Sequence, residues 1–286
     1  MSRDAGTRID THTVLSEDGT PIAYHSLGHG PGLVIVGGVL SSGSSYLPLA
    51  RALAPHFEVH VMERRGRPGS GPQRKGHDLH SECADLMAVA TATGSATVFG
   101  HSFGGFVALE TASGDTVFDE LFVYEPAVPL WGELSSSWLP AYGRLLESGD
   151  RRGAFALMVK HAGQAPGPIK LMPMWCVRLV LRLAVRGERW SDMEPLLEAN
   201  AVEHRILAAA DAPTAERFRT VAARTVLLAG ATSPAGTAQA LMNELSRVIP
   251  HACAVLLPGL RHPAPQDHAA RVASAVMANR YLSVRE

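Results

Sequence analysis

The sequence predicts an α/β fold, a mostly parallel twisted sheet of about eight strands with helices on both faces and a helical cap insertion. Two observations predict it. Strand and helix patterns alternate over residues 1–126 and again over residues 216–286, which is the order of a parallel sheet with crossover helices. Residues 127–215 contain helical patterns and no convincing strand. We therefore expect one core domain that is interrupted by a cap.

The first part of the chain carries the strongest strand signals. Two β-rich runs flank Asp18-Gly19, a hairpin signal. Residues 32–38 (GLVIVGG) are an apolar run ended by glycines, which is typical of a strand buried on both faces. The other elements predicted here are helices at 45–55 and 79–93 and strands at 57–63, 95–100 and 121–124.

The rest of the chain divides at the cap. The cap is predicted to contain four helices, at 136–147, 153–162, 171–186 and 193–209. The alternation then resumes with a strand at 224–230, a helix at 236–249, a strand at 253–259 and an amphipathic helix at 267–281.

Length, composition and charge exclude several function classes. The chain has 286 residues, 46% of them hydrophobic and 19% charged, and a formal net charge of −1. This is ordinary globular composition, and it predicts no nucleic-acid and no anionic-membrane partner. The first residues lack the apolar segment of a secretion signal. The most apolar later segment, 168–185, is interrupted by charged residues and a proline. No membrane span is expected, and the sequence carries no signal for an oligomeric state.

The cysteines and histidines do not form a metal-binding pattern. Cys83, Cys176 and Cys253 are odd in number and far apart, which argues against a disulfide framework and favours a reducing cytoplasm. The run at 77–80 (HDLH) with Glu82 is interpreted as a solvated helix start, because no second ligand cluster accompanies it. No metal and no cofactor are expected.

A serine between a predicted strand and a predicted helix is the candidate nucleophile. Gly100, Ser102 and Gly104 have the spacing G-x-S-x-G. A serine in such a tight turn is strained, and the two glycines let the strand and helix backbones pass closely. The helix N-terminus directs free N–H groups towards charge that develops beside the serine.

Four motifs in the right order resemble those of the α/β-hydrolases. Besides the serine turn, they are the segments 34–43 (VIVGGVLSSG), 62–71 (MERRGRPGSG) and 255–262 (VLLPGLRH). They are similar to the family's oxyanion loop after the third strand, its D-x-R-G-x-G-x-S turn after the fourth and its histidine segment after the eighth. The resemblance covers nearly all of the chain except the detailed sequence of the cap, and it implies the α/β-hydrolase fold.

The carboxyl ends of the predicted parallel strands define one edge of the sheet, where ligands bind in open sheets of this kind. The residues expected along this edge are Gly37, Gly38, Glu63, Ser102, Glu125, Gly230 and 258–262.

Thirteen histidines are present, so the general base is chosen by place. A serine needs a base within hydrogen-bond reach, and His262 follows the last strand on the same edge as Ser102. His101 adjoins the serine but points to another side, and we expect it to pack or orient the loop. His268, expected inside the last helix, is the alternative base.

The oxyanion hole is expected to use two backbone N–H groups, those of Val39 and Phe103. The resemblance departs from the family here, because Gly37-Gly38 stands where the family usually has His-Gly. Backbone donors do not need that histidine. What the missing histidine affects is how firmly the loop backbone is held in place.

The triad acid is missing from its usual place. The family position after the seventh strand aligns with Ser233, and no carboxylate lies between Glu216 and Glu244. Glu125, which ends the sixth strand, resembles the acid of haloalkane dehalogenases and zearalenone-type lactonases. Pro126 is expected to keep Glu125 extended, so that the strand runs through it.

Two other carboxylates remain as alternatives to Glu125. Asp267 is interpreted as a cap of the last helix. Glu63 is interpreted as a structural residue at the start of the arginine-rich turn.

A serine nucleophile implies an acyl-enzyme, so the expected function is hydrolysis of a small hydrophobic carboxylic ester or lactone. Leu40, Trp131, Met174 and Trp175 are the candidate pocket residues, although packing within the cap explains the aromatic and methionine residues equally well. The alternatives are a cofactor-free perhydrolase or carbon–carbon bond hydrolase with the same triad, and a non-catalytic ligand-binding protein that kept the fold.

Overall fold

The computed structural model describes residues 8–114, 117–130, 136–161, 167–210, 215–233 and 237–280. The chain forms two compact units. The first combines Met1–Val128 with Ala215–Glu286, and the second is Pro129–Thr214.

The first unit is built on one sheet. Its eight described strands are β1 Asp10–Leu15, β2 Pro21–Gly28, β3 Gly32–Val36, β4 Glu58–Met62, β5 Thr97–His101, β6 Glu120–Tyr124, β7 Arg224–Gly230 and β8 Ala252–Leu257. Their order in the sheet is β1-β2-β4-β3-β5-β6-β7-β8. Strand β2 pairs antiparallel with β1 and β4, and the other neighbours are parallel. The predicted α/β fold is confirmed.

The central strands are buried along almost their whole length. All five residues of β5 are buried, and so are all but the first residue of β6 and of β7. Continuous apolar runs of this kind arise where helices cover both faces of a parallel sheet. Edge strand β1 is exposed except for Val14. The carboxyl ends of β3, β5, β6 and β7 therefore lie side by side at the middle of the sheet.

Most helices of the first unit lie where the hydrophobic periodicity predicts them. They are α1 Leu47–Leu53, α2 Leu79–Thr93, α3 Phe103–Gly114, α10 Thr237–Val248, α11 Ala264–Asp267 and α12 Ala269–Asn279. Helix α2 has the predicted bounds because both of its ends are capped. Asp78 Oδ1 accepts the Ser81 N–H at 2.9 Å, and Gly94 closes the helix with a φ of 61°, as C-terminal glycines do.

The last predicted helix is two helices. The backbone of His268 leaves the helical region with φ −131° and ψ 41°, which separates α11 from α12. Asp267 therefore ends α11, and no side chain caps α12, so its interpretation as a helix cap is wrong. The placement of His268 inside the last helix is also wrong, because this residue is exposed at the junction.

The second unit is helical in its described residues. Its helices are α4 Leu139–Glu147, α5 Arg151–His161, α6 Gly167–Leu171, α7 Met174–Ala184, α8 Glu188–Met193 and α9 Leu197–Ala209. The predicted helix at 171–186 corresponds to α7, which is one helix but starts at Met174. It starts there because Pro173, whose ψ of 148° is extended, separates it from α6 and lacks the N–H that a continuing helix needs.

Glycines allow α3 to start directly against the sheet. A Cβ on Gly104 would lie 2.2 Å from the Val36 carbonyl oxygen, and a Cβ on Gly100 would lie 2.6 Å from Gly105 Cα. Both contacts are with backbone, so no side-chain movement could relieve them. The turn that carries Ser102 is thus held between β3 and β5 at a fixed distance.

We predict that Gly104→Ala lowers the free energy of unfolding by about 1–3 kcal/mol, because overpacking against fixed backbone is costly. Gly114→Ala, at the other end of α3, is the matched control, because a Cβ there meets no described atom within 4 Å. We expect it to be neutral or to stabilise by up to about 1 kcal/mol. Urea denaturation followed by circular dichroism measures both, and equal effects of the two substitutions would contradict the prediction.

Candidate active site

Ser102 occupies a strained turn between β5 and α3. Its φ is 54°, in the left-handed region that costs a non-glycine residue about 1–3 kcal/mol. Two backbone hydrogen bonds hold this conformation: Ser102 N–H donates to Tyr124 O at 3.0 Å, and Ala127 N–H donates to Ser102 O at 2.9 Å. The side chain is nearly buried, with 7% exposure. The turn lies at the carboxyl end of β5, where the G-x-S-x-G spacing predicts it, and the role of Ser102 as nucleophile stays a prediction.

Backbone strain concentrates at this edge of the sheet. In the part of the chain that the structure describes, the non-glycine residues with positive φ are Leu40 (50°), Ser102 (54°) and Glu125 (40°). They follow the carboxyl ends of β3, β5 and β6, which are neighbours in the sheet. Conformations of this kind persist only where surrounding contacts over-determine them, and they cluster at functional sites.

Glu125 lies in a bend and not in a strand. The expectation that Pro126 keeps it extended is wrong, because β6 ends at Tyr124 and the φ of Glu125 is 40°. Two hydrogen bonds with β7 hold the bend. The Glu125 N–H donates to Leu228 O at 2.9 Å, and the Gly230 N–H donates to Glu125 Oε1 at 2.8 Å. These contacts outweigh the local preference that the proline imposes.

The bend directs the Glu125 carboxylate onto His262. Glu125 Oε2 lies 2.8 Å from His262 Nδ1, while Oε1 also accepts a hydrogen bond from the hydroxyl of Ser233. Burial raises the pKa of Glu125, but the hydrogen bond and charge of His262, with the Ser233 and Gly230 donors, bring it below its ordinary value. The carboxylate therefore stays ionised at neutral pH although it is buried.

The contact with Glu125 leaves the other ring nitrogen of His262 for chemistry. Because Nδ1 donates to a carboxylate, the neutral ring carries its lone pair on Nε2. The hydrogen bonds of the described residues join His262 to Glu125 but include none between His262 and Ser102 Oγ. Catalytic hydrogen bonds are often long in structures without substrate.

Three side chains hold the backbone of the loop that carries His262. Successive carbonyl oxygens each accept a hydrogen bond: Leu260 O from Thr232 Oγ1 at 2.7 Å, Arg261 O from Tyr124 Oη at 3.0 Å, and His262 O from His101 Nε2 at 2.9 Å. The donors come from the ends of β5 and β6 and from the turn after β7. The loop after β8 is thus tied to the strands beside it.

His101 links this loop to the loop after β3. Since Nε2 donates to a carbonyl, Nδ1 accepts the hydroxyl proton of Tyr46 at 2.7 Å, and Tyr46 Oη accepts the Gly38 N–H at 2.8 Å. Burial, with the nearby His262, holds the pKa of His101 well below its usual value. His101 is therefore neutral, and its two ring contacts join the loop after β3 to the loop after β8, in agreement with the prediction that it packs or orients the loop.

The two N–H groups proposed for the oxyanion hole belong to Val39, in the glycine loop after β3, and to Phe103, directly after Ser102. A Cβ on Gly38 would lie 3.1 Å from Ser102 Cβ and 3.6 Å from its Oγ, so the glycine loop lies against the serine. Phe103 begins α3, and the first N–H groups of a helix have no partner inside it. Within the described residues, neither the Val39 N–H nor the Phe103 N–H donates a hydrogen bond.

Glu63 and Asp267, the alternative acids, lie elsewhere. Glu63 is buried. Its carboxylate accepts a hydrogen bond from the Gly43 N–H at 2.9 Å and lies 3.3 Å from His25 Nε2, so it stabilises the loop after β3. Asp267 is exposed at the end of α11. Neither carboxylate has a hydrogen bond to His262 in the described residues.

The proposed pocket residues are described in part. Leu40 is half-buried in the strained loop after β3. Met174 is half-buried and Trp175 is 69% exposed at the start of α7 in the helical unit. Trp131 lies outside the described residues. The role of these residues in substrate binding stays a prediction.

The residues that support the site carry no local sequence signal for that role. Tyr46 was only part of a predicted helix, and Tyr124 and Thr232 carried no assigned role, because their hydroxyl contacts join segments far apart in the sequence. The sequence signal at Ser233 is that it occupies the position where the family usually has the acid; its contact with Glu125 is not predicted.

The described residues contain neither a membrane-spanning helix nor a metal-binding cluster. Among the described helices, none is long and apolar enough to cross a membrane. The described histidine, cysteine and carboxylate side chains do not form a group of three that could hold a metal ion.

The chain matches one family model over most of its length and curated relatives over about a third of it. Residues 27–275 match the sequence model of the Alpha/beta hydrolase family. A pimeloyl-acyl-carrier-protein methyl ester esterase of Xanthomonas campestris pv. campestris is 37% identical over 90 residues, which cover 30% of this chain and 33% of the esterase. The corresponding esterase of Xanthomonas oryzae pv. oryzae is 34% identical over 87 residues, with the same coverage. The match therefore spans a third of the length of these esterases.

Solved structures resemble the chain over nearly all of its length. The crystal structure of an alpha/beta hydrolase from Sphaerobacter thermophilus is 31% identical, with a TM-score of 0.78, and the match covers 93% of this chain and 100% of that one. An esterase from Rhodococcus sp. ECU1013 has a TM-score of 0.61 at 21% identity, with 94% and 97% coverage. The second likeness concerns the fold alone.

We predict that Glu125→Gln reduces kcat for a 4-nitrophenyl ester by about 10³- to 10⁴-fold, because an amide neither holds the Nδ1 tautomer nor stabilises imidazolium. Asp267→Asn, a matched carboxylate-to-amide change at an exposed site, should leave kcat within about twofold, as surface changes usually do. Circular dichroism and Tm control for folding. Full activity of folded Glu125→Gln would contradict the role of this carboxylate.

The position of Ser233 allows a second test of the acid. Because its hydroxyl contacts the Glu125 carboxylate beside His262, a carboxylate at 233 could orient the same ring. We predict that Glu125→Gln/Ser233→Asp regains at least about tenfold in kcat over Glu125→Gln alone. Glu125→Gln/Ser233→Asn is the uncharged control, and equal rates of the two double variants would argue against a transferable acid.

Proposed function

The chain belongs to the alpha/beta hydrolase family, and on this premise we propose that it is a serine hydrolase that cleaves a hydrophobic carboxylic ester or lactone through an acyl-enzyme on Ser102. One observation carries the proposal. The strained serine turn and the 2.8 Å contact between Glu125 Oε2 and His262 Nδ1 lie at one edge of the sheet, and His101 connects them.

The first step would acylate the serine. Ser102 Oγ attacks the substrate carbonyl carbon while His262 Nε2 takes the hydroxyl proton, and the ionised Glu125 stabilises the imidazolium that forms. The Val39 and Phe103 N–H groups, which donate no hydrogen bond within the described residues, would receive the negative oxygen of the tetrahedral intermediate. His262 then protonates the leaving alcohol.

The second step would release the acid. A water molecule, deprotonated by His262 Nε2, attacks the acyl carbonyl, and the proton returns to Ser102 Oγ as the ester bond breaks. In a lactone the alcohol and the acid belong to one molecule, so the product is a single hydroxy acid.

The ester or lactone class has two supports. A serine forms an acyl-enzyme and not the alkyl ester of a carboxylate nucleophile, and the relatives that match over a third of their length are named methyl ester esterases. The acid after the sixth strand also resembles the arrangement in zearalenone-type lactonases. An apolar substrate agrees with Leu40 next to the proposed donor Val39.

Labelling by a fluorophosphonate probe tests the nucleophile. We expect the wild-type protein to be labelled and to hydrolyse 4-nitrophenyl butyrate, and Ser102→Ala to lose labelling and about 10⁶-fold in kcat. Ser41→Ala is the matched control, because Ser41 also lies at this edge but donates to Gly38 O at 3.0 Å; it should still be labelled. Folded wild-type protein that is neither labelled nor active would favour a non-catalytic member of the fold.

Substrate panels separate the remaining reactions. Hydrolysis of aryl esters and of medium-ring lactones, with no peracid formed from acetate and hydrogen peroxide and no cleavage of an aryl diketone, is the expected pattern. Peracid formation or diketone cleavage that exceeds ester hydrolysis would instead favour the perhydrolase or carbon–carbon hydrolase alternatives.

A further inference from the structure

The glycine loop after β3 is anchored by a side chain from outside it. A Cβ on Gly37 would lie 2.5 Å from Cε2 of Tyr46, so the buried tyrosine ring fills the volume into which a side chain at position 37 would project. The Tyr46 hydroxyl accepts the Gly38 N–H at 2.8 Å. A histidine at 37, the usual family residue, does not fit beside this ring.

Arg64 holds the opposite side of the same peptide groups. Its Nε donates to Gly37 O at 3.0 Å and its Nη2 donates to Gly38 O at 2.8 Å. The side chain is 2% exposed, and its guanidinium carbon lies 4.8 Å from the centre of the Phe103 ring. Two donors of one planar, rigid group on successive carbonyls define the orientation of both peptide planes.

This orientation decides where the N–H groups of the loop point. The N–H and C=O of a trans peptide point in opposite directions. Because Gly37 O faces Arg64, the Gly38 N–H points away from it, to Tyr46. Because Gly38 O also faces Arg64, the Val39 N–H points away from it, and this N–H donates to no group in the described residues.

We propose that Arg64 is a positioning residue of the oxyanion hole, which holds the Gly37 and Gly38 carbonyls so that the Val39 N–H faces the oxygen that becomes negative beside Ser102. The inference rests on the proposed serine hydrolase function. It explains how a Gly-Gly loop, which has the greatest backbone freedom of any dipeptide, presents a donor in one direction.

The charge of Arg64 has its own partner. Nη1 donates to Glu82 Oε1 at 3.2 Å, and the Glu82 side chain is fully buried. Burial raises the pKa of Glu82, but the charge of Arg64 and the hydrogen bond from His77 lower it to about 2. Glu82 therefore stays ionised at neutral pH. It binds Nη1 of the Arg64 guanidinium, while Nε and Nη2 donate to the carbonyls of the glycine loop.

Arg64→Lys tests the positioning role. The ammonium keeps a charge beside Glu82 but cannot donate along two fixed directions in one plane. We expect kcat for 4-nitrophenyl butyrate to fall by about 10- to 100-fold with KM within about threefold, since misdirecting a donor affects the transition state more than the bound substrate. The rate constant of fluorophosphonate labelling should fall by a similar factor.

Arg65→Lys is the matched control for a purely structural effect. Arg65 is equally buried, and its Nε donates to Asp85 Oδ2 at 2.6 Å while its Nη1 donates to Asp18 Oδ2 at 2.6 Å. In the described residues it has no hydrogen bond to the glycine loop. We expect Arg65→Lys to lower Tm at least as much as Arg64→Lys while kcat stays within about threefold of the wild type.

The outcomes separate the inference from the proposed function. Wild-type kcat in folded Arg64→Lys, or an equal loss of kcat in Arg65→Lys at an equal loss of Tm, overturns the positioning role and leaves the hydrolase proposal standing. Wild-type protein that is folded, unlabelled and inactive overturns both. Should Arg64→Lys fail to fold, Arg64→Gln, which keeps one amide donor, is measured in the same way, and the same loss of kcat is expected.

Discussion

The arrangement of the candidate site depends on two hydrogen bonds made by the neutral imidazole of His101. Its Nε2 donates to the backbone of His262, and its Nδ1 accepts from Tyr46, which in turn binds the Gly38 N–H. A protonated His101 could not accept that hydroxyl proton, so burial, which lowers its pKa, also preserves the connection. One ring thus sets the distance between the candidate base, the serine turn and the glycine loop.

Two buried charges lie beside this network, and each has enough partners to stay ionised. Glu125 accepts hydrogen bonds from His262, Ser233 and Gly230, and Arg64 donates to Glu82 and to two carbonyls. A buried charge without such partners would neutralise or destabilise the fold. In our proposals, both residues compensate for a departure from the usual family pattern, Glu125 for the missing acid at position 233 and Arg64 for the missing side chain at position 37.

Local patterns predicted the elements where local forces decide them. The bounds of helix 79–93 and strand 224–230 are as predicted, because a side-chain cap, a C-terminal glycine and an uninterrupted apolar run act within a few residues. The late start of α7 after Pro173, the helix break at His268 and the bend at Glu125 differ from what the local patterns predict. At Glu125, hydrogen bonds across β7 impose a conformation that its own sequence disfavours.

The fold class, the order of the elements and the serine turn follow from the sequence, because hydrophobic periodicity and the steric need for Gly100 and Gly104 are properties of short segments. Which carboxylate contacts His262, and what holds the glycine loop, depend on the folded chain as a whole. Those contacts join residues 137 positions apart at Glu125 and His262, and 161 apart at His101 and His262. No pattern along the chain specifies such distances, because they arise when parallel strands bring their carboxyl ends to one edge.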